Sequence, residues 1–219
     1  MRVAVIGGGW AGIAAAVELT AAGTETTLFE AGRALGGRAR GVEIDGRQLD
    51  NGQHILLGAY RETLALMRRV GADPDELFDR RPLQVIDNTG FRLALPRLPA
   101  PLNVAWGLLT ASAVDWKEKL ETAWWMDGIK RQGFRLPREM TVAEWLDDAG
   151  QTGTLRRHLW EPLCLAALNT PAERASAQLF ANVLRDSLGS SRREDTDLLL
   201  ARVDLGQLRQ QRIALGEMR

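Results

Sequence analysis

Residues 2–30, RVAVIGGGWAGIAAAVELTAAGTETTLFE, decide the fold. Arg2–Ile6 is a short apolar strand, and residues 7–12 form a glycine turn. Ile13–Ala22 is an alanine-rich helix ended by Gly23, and Thr26–Glu30 is a second strand of β-branched and aromatic residues. Together they make one βαβ unit of about thirty residues. The turn is a G-x-G-x-x-G: Gly7, Gly8, Gly9, Trp10, Ala11, Gly12. That pattern is weak alone, but here it lies between a strand and a helix, with an acidic residue ending the next strand. Gly7 permits the tight turn, Gly9 lets backbone approach a pyrophosphate, and Gly12 allows close helix–strand packing. Amides starting near Trp10 present the favourable end of the helix dipole to the phosphates. Glu30 is placed to accept hydrogen bonds from the adenosine ribose hydroxyls. The unit therefore reads as a dinucleotide site.

The regular α/β alternation then stops. Residues 42–44 and 47–49 flank Asp45-Gly46, a hairpin signal because a type I′ turn needs two positive φ angles. Residues 60–70 read as a helix closed by Gly71, and residues 83–86 and 91–95 as a second hairpin around Asn88-Thr89-Gly90. From Asp115 onward the sequence is mainly helical. Asp115/Glu118, Thr141/Glu144 and Thr170/Glu173 have capping-box spacing. Pro171 stands at a first helical position, with Gly189 closing that helix. Residues 190–197 read as a charged, serine-containing linker.

A nicotinamide-dependent dehydrogenase would continue with further βα units after Glu30. This sequence runs instead through Leu35-Gly36-Gly37-Arg38 into a hairpin. The segment from Glu30 to Arg38 resembles the GGR signature of FAD-dependent amine oxidases and carotenoid desaturases. Asp50-Asn51-Gly52-Gln53-His54 resembles the next flavin-contacting stretch of that superfamily. The resemblance implies FAD as cofactor. It adds Ala31, Arg33, Gly36, Gly37, Arg38, Gly52, Gln53 and His54 to the glycine turn and Glu30 as its neighbours. Many relatives carry an arginine two residues after the glutamate; here that position is Gly32, with Arg33 next.

Three stretches are more specific: residues 50–60 (DNGQHILLGAY), 160–171 (WEPLCLAALNTP), and 176–180 continuing to Arg185-Asp186-Ser187-Leu188. They resemble the squalene-associated FAD-dependent desaturases, understood as hydroxysqualene dehydroxylases of bacterial squalene and hopanoid synthesis. The resemblance covers residues 1 to about 208. It implies hydride delivery from reduced flavin to an allylic carbon as hydroxide leaves, giving squalene from hydroxysqualene. It implies an α/β (α+β overall) fold, with a Rossmann-type FAD-binding βαβ unit and a mainly helical substrate region. Residues 1–80 are expected as the N-terminal part of the FAD domain, 81–190 as the substrate region and 191–219 as a return segment. At 219 residues, the FAD sheet is expected to be incomplete and the sequence to be truncated at its C-terminal end. Two other readings stand beside this one: a carotenoid desaturase or amine oxidase-like flavoenzyme, and a non-catalytic N-terminal fragment of such an enzyme.

Asp50, His54 and Glu161 are candidate proton donors to the leaving hydroxyl. His158 reads as a surface histidine, and Cys164 as a buried residue whose apolar setting raises its thiol pKa. Trp106, Trp116, Trp124, Trp125, Trp145 and Trp160 either line an apolar tunnel or fill a helical core. No spacing supports a metal site, and no Gly-x-Ser-x-Gly elbow is present. The 28 basic and 28 acidic residues cancel, so no global field argues for nucleic acid. A single cysteine fits a cytoplasmic setting. The apolar N-terminus is interrupted by glycines and Glu18, unlike a signal peptide. The uncharged run 98–114, broken by Pro99 and Pro101, is too short for a membrane span. It reads as a buried helix or as one lying in a membrane surface, a peripheral contact that suits a long-chain isoprenoid substrate.

Overall fold

Two parallel strands and the helix between them carry the start of the fold. β1 (Arg2–Ile6) and β2 (Glu25–Phe29) pair from Arg2 opposite Glu25 to Ile6 opposite Phe29, joined by α1 (Trp10–Ala21). The computed structural model describes residues 1–32, 35–37, 41–50 and 55–202. α1 begins earlier than the glycine pattern predicts. Gly9 is its N-cap, and Gly12 lies inside it. Glycine lowers helix propensity, but here close packing overrides that preference. A Cβ on Gly12 would lie 1.8 Å from the Gly7 carbonyl oxygen. Val3 and Val5 of β1, and Thr26 and Leu28 of β2, are half-buried, while the alternate residues are exposed.

β3 (Gly41–Ile44) and β4 (Arg47–Asp50) form the expected hairpin, with positive φ at both Asp45 and Gly46. β5 (Ile55–Leu57), α2 (Arg61–Arg69), α3 (Pro74–Leu77) and β6 (Phe78–Arg81) follow. Much later, β9 (Leu198–Ala201) inserts between β5 and β6 to give the strand order β5-β9-β6. Leu64, Met67, Phe78 and Leu199 are buried together, with Trp10 packed against them. An Arg69–Glu18 ion pair ties α2 to α1.

The protein divides into two compact units. The first comprises the described residues among 1–56, 60–80 and 199–202; the second comprises 57–59 and 81–198. In the second, β7 (Gln84–Ile86) and β8 (Arg92–Ala94) form an antiparallel hairpin. The rest is helical: α4 (Leu102–Thr110), α5 (Trp116–Arg131), α6 (Val142–Asp148), α7 (Glu161–Leu168) and α8 (Ala177–Asp186). A single π-helical turn, Arg156–Trp160, runs directly into α7. α7 ends at Asn169, whose left-handed conformation closes the helix. The core of this unit includes Phe91, Val142, Leu146, Leu155, Phe180 and Leu184, all fully buried.

Several expectations need correction. The Thr141/Glu144 capping box is present in full, but Asp115 makes no side-chain cap. Its expected partner Glu118 turns away to accept from the Leu155 amide (2.5 Å). No helix starts at Pro171. The Thr170 hydroxyl donates back to the Leu168 carbonyl (2.9 Å), and Ser176 caps α8 instead. Gly189 does close α8, donating to the Leu184 carbonyl (2.7 Å). Residues 190–197 are not a solvated linker, because their polar groups satisfy one another and so tolerate burial. Asp195, Thr196 and Asp197 are buried. Ser190 donates to Asp195 (2.6 Å), Arg193 to Asp197 (3.0 Å), and Asn103 of α4 to the Thr196 hydroxyl (3.1 Å). Of the tryptophans assigned to tunnel or core, Trp125, Trp145 and Trp160 pack edge to face within the core, whereas Trp106, Trp116 and Trp124 are exposed.

Adjacent residues of α8 test this packing. Phe180→Ala empties a fully buried position and should cost about 3–5 kcal/mol in chemical denaturation. Leu179→Ala, on the exposed face, should change stability by less than about 0.5 kcal/mol. Equal effects would contradict the core described.

Candidate dinucleotide site

The glycine turn is built by three backbone contacts. The Gly7 amide donates to the Phe29 carbonyl (2.7 Å), anchoring the end of β1 to β2, and Gly7 has a φ of 98°, open to glycine alone without strain. The Gly36 amide donates to the Gly8 carbonyl (2.7 Å), and Gly9 and Gly36 form a parallel bridge. Gly36 and Gly37 therefore lie directly on the glycine turn. Gly37 also has positive φ, and a Cβ there would come within 3.3 Å of the Gly9 Cα. The motif read from sequence as a separate signature is one surface with the first.

Glu30, just past β2, joins this surface. Its carboxylate accepts from the Gly8 amide (2.5 Å) through Oε2 and from the Gly32 amide (2.7 Å) through Oε1. Ala31 and Gly32 follow it as exposed residues. A Cβ on Gly8 would strike the Leu35 side chain (2.4 Å) and the Glu30 carboxylate (3.0 Å), so that glycine is required by the protein itself. Gly9 differs. Its φ of −70° suits any residue, and a Cβ there meets no described atom within 4 Å. Nothing described in the protein demands glycine at position 9. The amides of Trp10 and Ala11 open α1 beside it, at the end where the helix dipole favours an anion. This arrangement fits the pyrophosphate of a dinucleotide, with Glu30 as the ribose acceptor. FAD supplies two-electron, hydride-transfer chemistry when bound.

Of the other residues assigned to the cofactor, Arg33, Arg38, Gly52, Gln53 and His54 lie outside the described residues. Asp50 ends β4. Glu161, a candidate acid, sits at the start of α7 and accepts from Arg156 Nε (2.7 Å). Hydrogen bonds to Glu161 and to Asp147 raise the Arg156 guanidinium above its ordinary pKa, so Glu161 faces a permanent cation. The Cys164 thiol is fully buried, and burial pushes its pKa up, with the Glu173 and Glu161 charges adding to the effect. It is a packing residue.

Two features of the second unit are not legible as motifs. A small, partly open pocket is walled by Leu83, Leu93 and Leu95 of the hairpin region, Val104 and Leu108 of α4, Thr122 and Met126 of α5, Leu159 and Trp160 of the π-turn, and Leu188. Its polar side chain, Thr122, donates its hydroxyl to Gln151 Oε1 (2.7 Å). The wall is therefore apolar, and π-turns often mark functional sites. Secondly, His158 is not a surface histidine. Its Nδ1 pairs with the Asp87 carboxylate, and its ring stacks on buried Phe91 at 5.2 Å. Asp87 accepts from the Thr89 hydroxyl (2.6 Å) and amide (2.8 Å). The Asp-Asn-Thr-Gly spacing of an Asx turn was the available signal.

Both geometries can be tested by single substitutions. Gly9→Ala should leave the thermal stability of the FAD-free protein within about 0.5 kcal/mol, yet weaken FAD binding in a fluorescence titration by roughly tenfold or more. Unchanged affinity would remove the phosphate from position 9. The Thr89 hydroxyl, followed by the Thr89 amide and His158, holds the Asp87 carboxyl below its ordinary pKa. A lowered folded-state pKa gives stability above the unfolded value of about 4, lost as pH falls through the folded value. Asp87→Asn should therefore flatten the acid limb of the stability–pH profile.

Comparison with known proteins places this geometry. Residues 10–194 match the family model described as flavin containing amine oxidoreductase. A zeta-carotene desaturase of Synechocystis is 30% identical over 205 residues, covering 84% of this chain and 41% of the relative. A hydroxysqualene dehydroxylase of Zymomonas mobilis is 31% identical over 193 residues, covering 84% of this chain and 43% of the relative. The chain thus spans less than half the length of these curated relatives. Among solved structures, a CLA-producing fatty acid isomerase from P. acnes superposes with a TM-score of 0.61 at 18% identity, over 94% of this chain and 48% of the other. That likeness shows the fold alone, mixed α/β and shared over about half of the solved chain. With the family model matched across residues 10–194, most of its length, the chain belongs to the flavin containing amine oxidoreductases.

Proposed function

We propose that this protein is an FAD-dependent oxidoreductase of squalene and hopanoid synthesis, converting hydroxysqualene to squalene. A hydride is gained at the allylic carbon, and the hydroxyl leaves as hydroxide. The observation that carries the reading is the apolar pocket in the second unit, whose Thr122 hydroxyl is already donated to Gln151. Such a wall can hold a hydrocarbon segment and offers little to an amine or a sugar, which would lose hydration without replacement bonds. The 31% identity to a hydroxysqualene dehydroxylase and the 160–188 run support the specific substrate.

In this reading residues 1–80 hold FAD, residues 81–190 take up the isoprenoid, and residues 191–219 lead back toward the FAD domain. Gly9, Trp10 and Ala11 seat the pyrophosphate, while Glu30 orients the ribose. Asp50, His54 and Glu161 are the candidate donors to the departing oxygen, Glu161 being the one that accepts from Arg156. A cytoplasmic protein working on such a substrate takes it from a membrane, so peripheral membrane contact belongs to the same reading.

A second reading has its own observation. The zeta-carotene desaturase of Synechocystis is as similar, at 30% identity, and would run the two-electron chemistry in the opposite sense, removing hydride. Two incubations separate them. The FAD-loaded protein, reduced and kept anaerobic, should give squalene from hydroxysqualene; the oxidised form should leave zeta-carotene unchanged. Desaturation without squalene formation would favour the second reading. Independently of turnover, Leu108→Glu should abolish retention of labelled squalene by the protein, and retained binding would rule out the pocket as the isoprenoid site.

A further inference from the structure

One face of α4 and α5 carries large apolar side chains into solvent. On α4, Leu102, Trp106 and Leu109 follow the spacing of a single helical stripe and are 58%, 52% and 45% exposed. On α5, Trp116, Leu120 and Trp124 do the same at 64%, 56% and 71%. The two stripes are linked. Lys119 Nζ donates to the Leu109 carbonyl (2.9 Å) and sits 5.1 Å from the centre of the Trp116 ring. Buried faces of the same two helices wall the apolar pocket with Val104, Leu108 and Met126. Scattered exposed leucines need no explanation, but a continuous patch holding three tryptophans does.

Charge is distributed to match. Residues 98–114 contain no ionisable side chain, with Arg97 before them and Lys117 and Lys119 after. All three lysines of the sequence, at 117, 119 and 130, lie on α5. The neighbouring carboxylates are drawn aside: Glu118 turns inward to the Leu155 amide, and Glu121 pairs with Lys117 at 3.8 Å. Asp115 stands at the N-cap of α5. Indole rings prefer the boundary between headgroups and acyl chains, and lysine stems reach along it to anionic headgroups. No described helix is long and apolar enough to cross a membrane.

We propose that the outer face of α4 and α5 docks on an anionic lipid bilayer, with α4 lying in the interface and Lys119, beside the Trp116 ring, meeting the headgroups. The face stands on exposure and charge; the choice of lipid over a protein partner rests also on the isoprenoid reading. Docking brings the two helices that wall the pocket against the phase in which an isoprenoid dissolves.

Vesicle flotation tests this without any turnover, so failure of the squalene assay and failure of docking are separate results. The full-length protein should float with vesicles of phosphatidylglycerol and phosphatidylcholine in equal parts, and more weakly with phosphatidylcholine alone. The triple variant Trp106→Ser, Trp116→Ser, Trp124→Ser changes only exposed positions and should keep its far-ultraviolet circular dichroism. Its vesicle affinity should fall by about tenfold or more. No flotation of the parent protein with anionic vesicles, or equal flotation of parent and variant, overturns the proposal. So does a parent that is dimeric, ignores vesicles, and becomes monomeric in the variant, since a second copy would then be the occupant.

Discussion

The contact between Gly12 and the Gly7 carbonyl constrains everything at the N-terminal end. Because a Cβ at position 12 would lie 1.8 Å from that oxygen, only glycine lets α1 leave β1 through the three-residue turn of Gly7, Gly8 and Gly9. The early helix start then aims the first amides of α1 past Gly9. It also leaves the Gly8 carbonyl and amide for Gly36 and Glu30 respectively. Three segments far apart in sequence thus meet through backbone groups and one carboxylate. A side chain at Gly8 or Gly12 would push them apart. The open position, Gly9, is the one whose glycine the described protein does not itself require.

Much of this was legible in the sequence because the requirements are local. A G-x-G-x-x-G between strand and helix, an acidic residue after the next strand, and Asp45-Gly46 in a hairpin each follow from backbone geometry within a few residues. What was not legible depended on partners distant in the sequence. Glu118 has perfect capping-box spacing, yet the Leu155 amide, 37 residues on, claims it. Residues 190–197 have the composition of a solvated linker. Asp195, Thr196 and Asp197 within them are buried because Asn103, Ser190 and Arg193 supply bonds that composition does not reveal. Arg33, Arg38, Gly52, Gln53 and His54 lie outside the described residues, so their assignment remains a reading of the resemblance.

The second unit shows how an apolar pocket is held open in a packed core. Its wall comes from a β-hairpin, two helices and a π-turn. The Trp125, Trp145 and Trp160 rings packed edge to face give rigid support on one side. The Asp87–His158 pair fixes the hairpin turn to the π-turn, joining two elements that contribute to that wall. Polar groups near the pocket are satisfied by each other, as with Thr122 and Gln151, so they stabilise the wall without making it hydrophilic. A site of this kind discriminates by shape and by the cost of stripping water from polar ligands.

The central claim is that the joined glycine surface seats the pyrophosphate of FAD. A crystal structure of the protein grown with FAD tests it most directly. The pyrophosphate is expected against Gly9 and the first amides of α1, with the adenosine ribose within hydrogen-bond reach of Glu30. Dinucleotide density elsewhere on the protein, or a Gly9 surface left empty at saturating FAD, would contradict it.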